Sequence, residues 1–482
     1  MNGNLSMMTD YYELTMMQGY FLSGMEKRQG VFDLYYRRNP LGNGFAIAAG
    51  LAQAIDYIEN LSFAKEDIEY LSGLNSFKPE FLNYLENFSF TGDIWAIPEG
   101  TVVFPNEPLM RITAPIIEAQ LIETALLNII NHQCLIATKA ARVVYAAGGD
   151  SVLEFGLRRA QGPDAGVYGA RAAIIGGCVA TSNTLCGQMF GAPVRGTHAH
   201  SWVMSFPDEL SAFREYARLY PEDCTLLVDT YDTLKSGVPN AITVFSEMKA
   251  AGIPLKNYGV RMDSGDIAYI SKKARVKLDV SGFTDAKIAA SGDLDETIIQ
   301  SLKQQNAEIS LWGVGTSLIT SDGCPAFGGI YKLAAAENEN GEMEPRIKLS
   351  ENLEKITTPG VKKVFRFFEK ETGKIKADLI SLDDETIDEA QPITIFDPLA
   401  TWKRMTLEAG SFTVKELLIP IFINGEKIYN SPELAEIQEY CRESQSTLWD
   451  EHKRLINPHI LPVDLSQRLY DLKQQKISEA RE

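Results

Sequence analysis

Cysteine is sparse in this chain and shows no pairing pattern. Cys134, Cys178, Cys186, Cys224, Cys324 and Cys441 are scattered through 482 residues without one CxxC pair. That spacing excludes a disulfide framework and a CxxC zinc site, and it suits a reducing cytoplasm. Long apolar runs are also missing, since none approaches the ~20 residues needed to cross a bilayer. The first residues show no basic stretch leading into an apolar core, so no signal peptide is expected. Positive charge is short as well: 46 Lys and Arg stand against 64 Asp and Glu, for a net charge of −18. Such a balance argues against nucleic acid and against an anionic membrane as the main partner. A small anionic substrate is not excluded, because a few arginines set the field inside a cleft. Histidine is scarce too, with five copies.

What is present is ordinary in bulk. Hydrophobic residues make up 45% and charged residues 23%, which fits a globular protein long enough for more than one domain. The expected division is 1–133, an N-terminal α/β domain; 134–350, a β/α barrel; and 351–482, a strand-rich and helical C-terminal region. In the first, Thr9–Phe21 starts with a helix cap and carries apolar residues at helical spacing, and Val31–Pro40 reads as β-rich. Ala125–Gly148 reads as one or two helices. From Ser151 onward, short β-prone segments alternate with helical ones: Ser151–Gly156, Cys178–Ser182, APVRGTHA, CTLLVDT, NYGVRMD, KIAAS and EISLWGVG, with GGIYKLAAA closing the series. Alternation of this kind predicts βαβ units and a parallel sheet, and the number of units favours a closed or nearly closed barrel.

Each of these segments ends in polar residues or glycine, where a barrel builds its active site. The candidates are Glu154, Arg158, Thr197, His200, Asp229, Arg261, Asp263, Gly292, Asp293, Gly315 and Thr316. Helix capping is an equal alternative for Asp229 and Asp266. Capping does not account for Arg158, Arg159 and Arg261, which point to clamping of phosphate or carboxylate. SGDLDE and GVGTS each join a strand to a helix, as phosphate cradles do. His198 and His200 alternate on one expected strand end, so one should face the barrel mouth and the other should not. His132, His452 and His459 read as structural or solvent-facing. Metal binding competes for His200, but no second ligand is spaced to suit it, and no metal ligand is assigned.

The segments TDYYELTMMQGYF, EFGLRRAQGPDAG, GTHAHSWVMSF, LLVDTYDTLKSGV, GVRMDSGD, ASGDLDE, GVGTSLITS, KLSENLEKITTPG and PHILPVDLSQRLYDLK resemble, in order, those of the nicotinate phosphoribosyltransferase family. The resemblance covers nearly the whole chain. It implies a type II phosphoribosyltransferase-like β/α barrel with an N-terminal α/β domain and a smaller C-terminal region, in a homodimer with shared active sites. It also implies a reaction: nicotinate and phosphoribosyl pyrophosphate give nicotinate mononucleotide and pyrophosphate, coupled to ATP hydrolysis with Mg²⁺, a ligase-type reaction of NAD salvage. By resemblance, His200 is phosphorylated by ATP, whereas His198 falls at a position the family varies. Tyr12 is the tyrosine that a partner subunit sets against the pyridine ring, with Phe155 its stacking mate. Arg261 meets the nicotinate carboxylate or a neighbouring phosphate. Arg158, Asp263 and Thr197 line ribose and pyrophosphate, and Gly292, Asp293, Gly315 and Thr316 hold ribose and its 5′-phosphate. Rival readings are the nicotinamide-using relative, which carries an acid near Ser182; a barrel lyase with Lys332 as Schiff-base lysine; and a pyridine-nucleotide sensor without turnover.

Overall fold

The computed structural model of the protein describes residues 4–352 and 355–481, so Leu353 and Glu354 of the KLSENLEKITTPG segment lie outside the described residues. The chain divides into two compact units. One comprises Met1–Leu135, Ala326–Pro432 and Glu439–Glu482; the other comprises Ile136–Pro325 and Glu433–Gln438. The helix Glu123–Ala147 carries the chain from the first into the second.

In the first unit, helix Tyr11–Leu22 forms where helical spacing predicts it. Asp10 precedes it without capping it. Its carboxylate accepts from the Thr124 hydroxyl at 3.0 Å instead. Strand Gln29–Tyr36 lies inside a seven-stranded sheet, between Met110–Pro115 and Gly329–Glu337. The GGIYKLAAA segment therefore does not close the barrel. It runs antiparallel to Gln29–Tyr36, Phe32 and Tyr331 stack with centroids 4.9 Å apart, and the Tyr331 hydroxyl donates to the Ala119 carbonyl at 2.6 Å. Those contacts hold the segment in this sheet. A second sheet of four strands pairs Lys362–Glu369 with Ile375–Leu382 and Phe412–Glu416. Between its first two strands, buried Arg366 donates to Asp378 through Nε at 2.8 Å and to the Val102 carbonyl through Nη1 at 2.7 Å.

The second unit is the barrel. Its strands are β1 Ser151–Glu154, β2 Ala180–Thr181, β3 Asp223–Leu227, β4 Asn257–Met262, β5 Lys287–Ala290 and β6 Leu311–Val314. They pair in parallel in the order β2-β1-β6-β5-β4-β3, so the last strand in sequence lies beside the first. That circular order is the mark of a barrel, with Val152, Leu226, Val260, Ile288, Trp312 and Val314 buried in it. APVRGTHA is not a strand. Val194 makes a single parallel bridge to Thr181, with the Pro193 carbonyl accepting the Thr181 N–H and the Arg195 N–H donating to the Thr181 carbonyl; Pro193 has no N–H to extend the ladder upstream, and Gly196 stabilises no extended strand downstream. The ring stays open between this segment and β3. The helices are α1 Pro163–Ile175, α2 Thr184–Phe190, α3 His200–Met204, α4 Glu209–Leu219, α5 Val238–Ala250, α6 Ile267–Val280, α7 Glu296–Gln304 and α8 Thr316–Ile319. Asn183, Asp208, Asp266 and Asp295 cap α2, α4, α6 and α7 with their side chains.

Among the described residues no helix is long and apolar enough to cross a membrane. Replacing Asp378 by Ala removes the hydrogen-bonded carboxylate of a buried guanidinium and leaves it Glu107 Oε2 at 3.9 Å. The expected loss is about 3–5 kcal/mol, read as a fall in the urea midpoint of unfolding; an unchanged midpoint would show that the pair contributes nothing.

Candidate active site

Arg261 is the penultimate residue of β4, and Asp263 follows the strand. The Arg261 guanidinium uses all three of its nitrogens. Nε donates to Ser291 Oγ at 2.8 Å, Nη1 to Thr197 Oγ1 at 2.8 Å and Nη2 to Asp263 Oδ1 at 3.1 Å. The ring of Phe155, just past β1, lies 5.7 Å from the guanidinium carbon. A planar cation over an aromatic face is a favourable contact. Ser291 at the end of β5 also donates to Asp263 Oδ1. Half-burial pushes the Asp263 carboxyl up, but the Ser291 hydrogen bond and the charges of Arg261 and His200 prevail and hold it below the usual range. Asp263 is thus an ionised carboxylate at neutral pH.

Asp229 is no helix cap. Its Oδ2 accepts from the Asp263 N–H at 2.8 Å and the Ser264 hydroxyl at 2.7 Å. Its Oδ1 is buried without a hydrogen-bond partner and lies 4.0 Å from His200 Nε2. The other ring nitrogen, His200 Nδ1, is 3.0 Å from Thr230 Oγ1. Asp229 therefore ties the β3 end to the β4 end and places a carboxylate beside the imidazole.

Glycine is required where these ends crowd. Gly292 has φ +90°, and a Cβ there would come within 2.3 Å of the Asp263 carbonyl oxygen. A Cβ at Gly313 would strike the Phe155 ring at 2.7 Å. Asp293 follows Gly292 with φ 41°. Gly315 follows β6 and Thr316 opens the four-residue α8. Glu154 is not a mouth residue: it is fully buried, accepting from the Gly156 N–H and, at 2.6 Å, from the Thr181 hydroxyl. Burial pushes its carboxyl up.

The structure thus brings Arg261, Asp263, Thr197 and Phe155 into one constellation and joins His200 to it through Asp229. Arg158 sits on the turn Leu157–Arg159, exposed, and makes none of these contacts among the described residues. Tyr12 belongs to the first unit, exposed on helix Tyr11–Leu22, next to Glu13, whose carboxyl burial pushes up to about 7. Ser291 and Thr230 are not among the candidates that the sequence singles out, and for Asp229 the sequence leaves capping and a site role equal. The period-two signal in VRMDSGD and AASGD marks such positions, but it does not say which acid faces which strand.

The two histidines divide differently from an alternating strand. His200 opens helix α3, and His198 lies in the preceding loop, buried. The His198 ring packs edge-on to Tyr216 at 4.7 Å, and Nε2 accepts the Leu227 N–H at 3.2 Å. Val228 next in line donates to the Arg261 carbonyl on β4, so Leu227 N–H points to the open side of β3. His198 fills that vacancy in the ladder. Thr197 and His200 flank it and reach Arg261 and Thr230, so the histidine fixes the loop that carries both.

The chain matches two family profiles, the nicotinate phosphoribosyltransferase (NAPRTase) N-terminal domain over residues 7–131 and the C-terminal domain over residues 361–473. The chain is 48% identical to a nicotinate phosphoribosyltransferase of Bacillus subtilis, across 99% of this chain and 96% of that protein. It superposes on the crystal structure of human nicotinic acid phosphoribosyltransferase with a TM-score of 0.82 and 30% identity, over 97% of this chain and 99% of that one. A nicotinate-nucleotide pyrophosphorylase from Pyrococcus furiosus shares the fold, with a TM-score of 0.70 at 23% identity over 92% of this chain and 96% of that one.

Burial chiefly, with Arg261 and His200 adding to it, brings the His198 imidazole down from 6.5 to about 4. A base whose folded pKa is depressed stabilises the fold above its unfolded value, and that stability is lost as pH falls toward the folded value. Thermal unfolding should therefore shift downward between pH 6.5 and pH 4, and His198→Gln, which keeps an acceptor but cannot titrate, should flatten that shift. An identical pH profile in the variant would remove His198 from this role.

Proposed function

The chain belongs to the nicotinate phosphoribosyltransferase family, and we propose that it joins nicotinate to phosphoribosyl pyrophosphate, releasing nicotinate mononucleotide and pyrophosphate, as a step of NAD biosynthesis coupled to ATP hydrolysis. The observation that carries this reading is the Arg261 fork. It is held by Thr197, Ser291 and Asp263 against the Phe155 ring, so an anionic aromatic acid finds a cation and a flat apolar face together.

In this reading the pyridine nitrogen attacks the anomeric carbon, the bond from that carbon to the pyrophosphate oxygen breaks, and pyrophosphate leaves with the electron pair. Positive charge develops on the sugar. The Asp263 carboxylate, kept ionised by its partners, stabilises it without reorganising. Gly292 lets the backbone approach the ribose, and Asp293, Gly315 and Thr316 complete the grip on ribose and 5′-phosphate. Arg158 reaches the pyrophosphate. His200 Nε2 attacks the γ-phosphorus of ATP, the bond from that phosphorus to the β–γ bridging oxygen breaks, and ADP leaves with the electron pair. Thr230 accepts Nδ1–H in the tautomer that leaves Nε2 its lone pair for phosphorus, and water later cleaves the P–N bond.

Mg²⁺ fits the donor set if substrate phosphates supply part of its shell. Asp229 and Asp263 offer hard oxygens, Asp229 Oδ1 without a hydrogen-bond partner, while no cluster of three or more His, Cys, Asp or Glu able to hold a metal exists among the described residues. When bound, it supplies charge neutralisation to the departing pyrophosphate. The reading also includes a cytoplasmic homodimer in which Tyr12 of one subunit lies on the pyridine held by the other.

Product analysis with nicotinate, phosphoribosyl pyrophosphate, Mg²⁺ and ATP should yield nicotinate mononucleotide; preferential turnover of nicotinamide would reverse the substrate assignment. Arg261→Lys loses the planar fork and should lower kcat/KM by about 10²–10³. Label from γ-labelled ATP should be acid-labile on the protein and absent in His200→Ala; label persisting in that variant would move the phosphorylated residue elsewhere.

A further inference from the structure

The first unit contains a cavity that the reaction proposed above does not use. It has a volume of about 550 Å³, and Ile380, Leu399, Val463 and Ile477 form its apolar wall. Its lining is rich in cations, among them Arg37, Lys362, Lys473 and Arg481, while Asp33 is the one acidic residue among the described lining. In a chain with a net charge of −18, that local reversal of sign is not the average surface.

The acid is already neutralised. Lys362 Nζ lies 2.7 Å from Asp33 Oδ2 and also donates to the Thr358 and Gly360 carbonyls at 2.8 and 2.7 Å. Lys362 is therefore saturated and forms a closed floor. Two other cations are not saturated. Lys473 Nζ donates to Thr358 Oγ1 at 3.2 Å and has two further N–H bonds. Arg37 Nε is buried without a hydrogen-bond partner, and the guanidinium carbon lies 5.8 Å from the Tyr35 ring centre. Burial first, and the charge of Lys362 second, bring the Lys473 ammonium down to about 8. An anion placed beside it would relieve both effects. Pockets of this size with an apolar wall and few convergent polar groups are the usual form of small-molecule sites.

We propose that this cavity binds an amphipathic organic anion, with its phosphate, sulfonate or carboxylate between Arg37 and Lys473 and its apolar body against Ile380, Leu399, Val463 and Ile477. The described lining belongs to the first unit alone, and the proposal does not rest on the reaction assigned to the barrel. A charged group held by Arg37 and Lys473 gains charge-assisted hydrogen bonds in a half-apolar enclosure, and the wall selects against small inorganic ions, which have no body to bury.

The full-length protein is titrated with 8-anilinonaphthalene-1-sulfonate, an anion of this shape, and fluorescence is followed. Saturable binding is expected, and Lys473→Met should weaken it at least about tenfold, the loss of one charge-assisted hydrogen bond, with turnover of nicotinate unchanged. Unchanged affinity in Lys473→Met overturns the proposal. So does loss of the probe in Arg261→Met, which would put it in the barrel, or a parallel loss of turnover in Lys473→Met. A second arm needs no variant: the native protein is acetylated with sulfosuccinimidyl acetate at fixed pH and Lys473 modification is read by peptide mass spectrometry. The bound probe should slow acetylation of Lys473 while leaving exposed lysines unaffected; equal rates with and without the probe overturn the proposal.

Discussion

One guanidinium organises the barrel mouth. Arg261 offers its N–H groups in a fixed plane, and each nitrogen is met by an oxygen from a different strand end or loop: Ser291 after β5, Thr197 from the segment before α3, and Asp263 after β4. A lysine could satisfy any one of these, but not the three directions together. The fork therefore sets the register of three loops at once. Asp229 extends the same logic to β3 by accepting from the Asp263 backbone and standing beside His200. Phe155 covers the guanidinium from β1. Removing the fork would free the loops rather than one contact.

Much of this was legible in the sequence because the barrel repeats itself. Strand followed by polar turn followed by helix recurs from Ser151 to Ile319, and the helix caps Asp208, Asp266 and Asp295 mark the units where propensity alone would be vague. Position along the strand fixes which side chains reach the rim, so Arg261 and Asp263 could be named. Two things resisted. GGIYKLAAA has the same local pattern as a barrel strand, and only its aromatic fit to Phe32 in the other unit decides its place. APVRGTHA has the right residues for a strand, but Pro193 before Val194 and Gly196 after it hold the pairing to one bridge, so His198 lies in a loop and His200 at a helix start rather than alternating on a strand.

The distinction between His198 and His200 shows why residue type alone is a poor guide to role. Both are imidazoles near the same rim. One is buried against Tyr216 and accepts a backbone N–H; the other is half-exposed beside a carboxylate and a hydroxyl. Desolvation suppresses charging of the first, so it serves as a fixed acceptor, whereas the side chain of the second is 42% exposed. Asp229 and Glu154 divide in the same way: one carboxylate keeps an unused oxygen near the imidazole, and the other has both oxygens committed inside the fold.

The first unit is assembled from three separate stretches of chain, and its strand Gln29–Tyr36 hydrogen-bonds to Met110–Pro115 on one side and to Gly329–Glu337 on the other. The barrel is nearly contiguous, from Ile136 to Pro325. A ribosome therefore delivers every barrel strand before it delivers the second neighbour of Gln29–Tyr36. During synthesis that strand has an unpaired edge for the time needed to add roughly 200 residues, about 10–40 s at ordinary translation rates. Nascent-chain chaperones that cover exposed sheet edges would matter more for this half of the molecule than for the other.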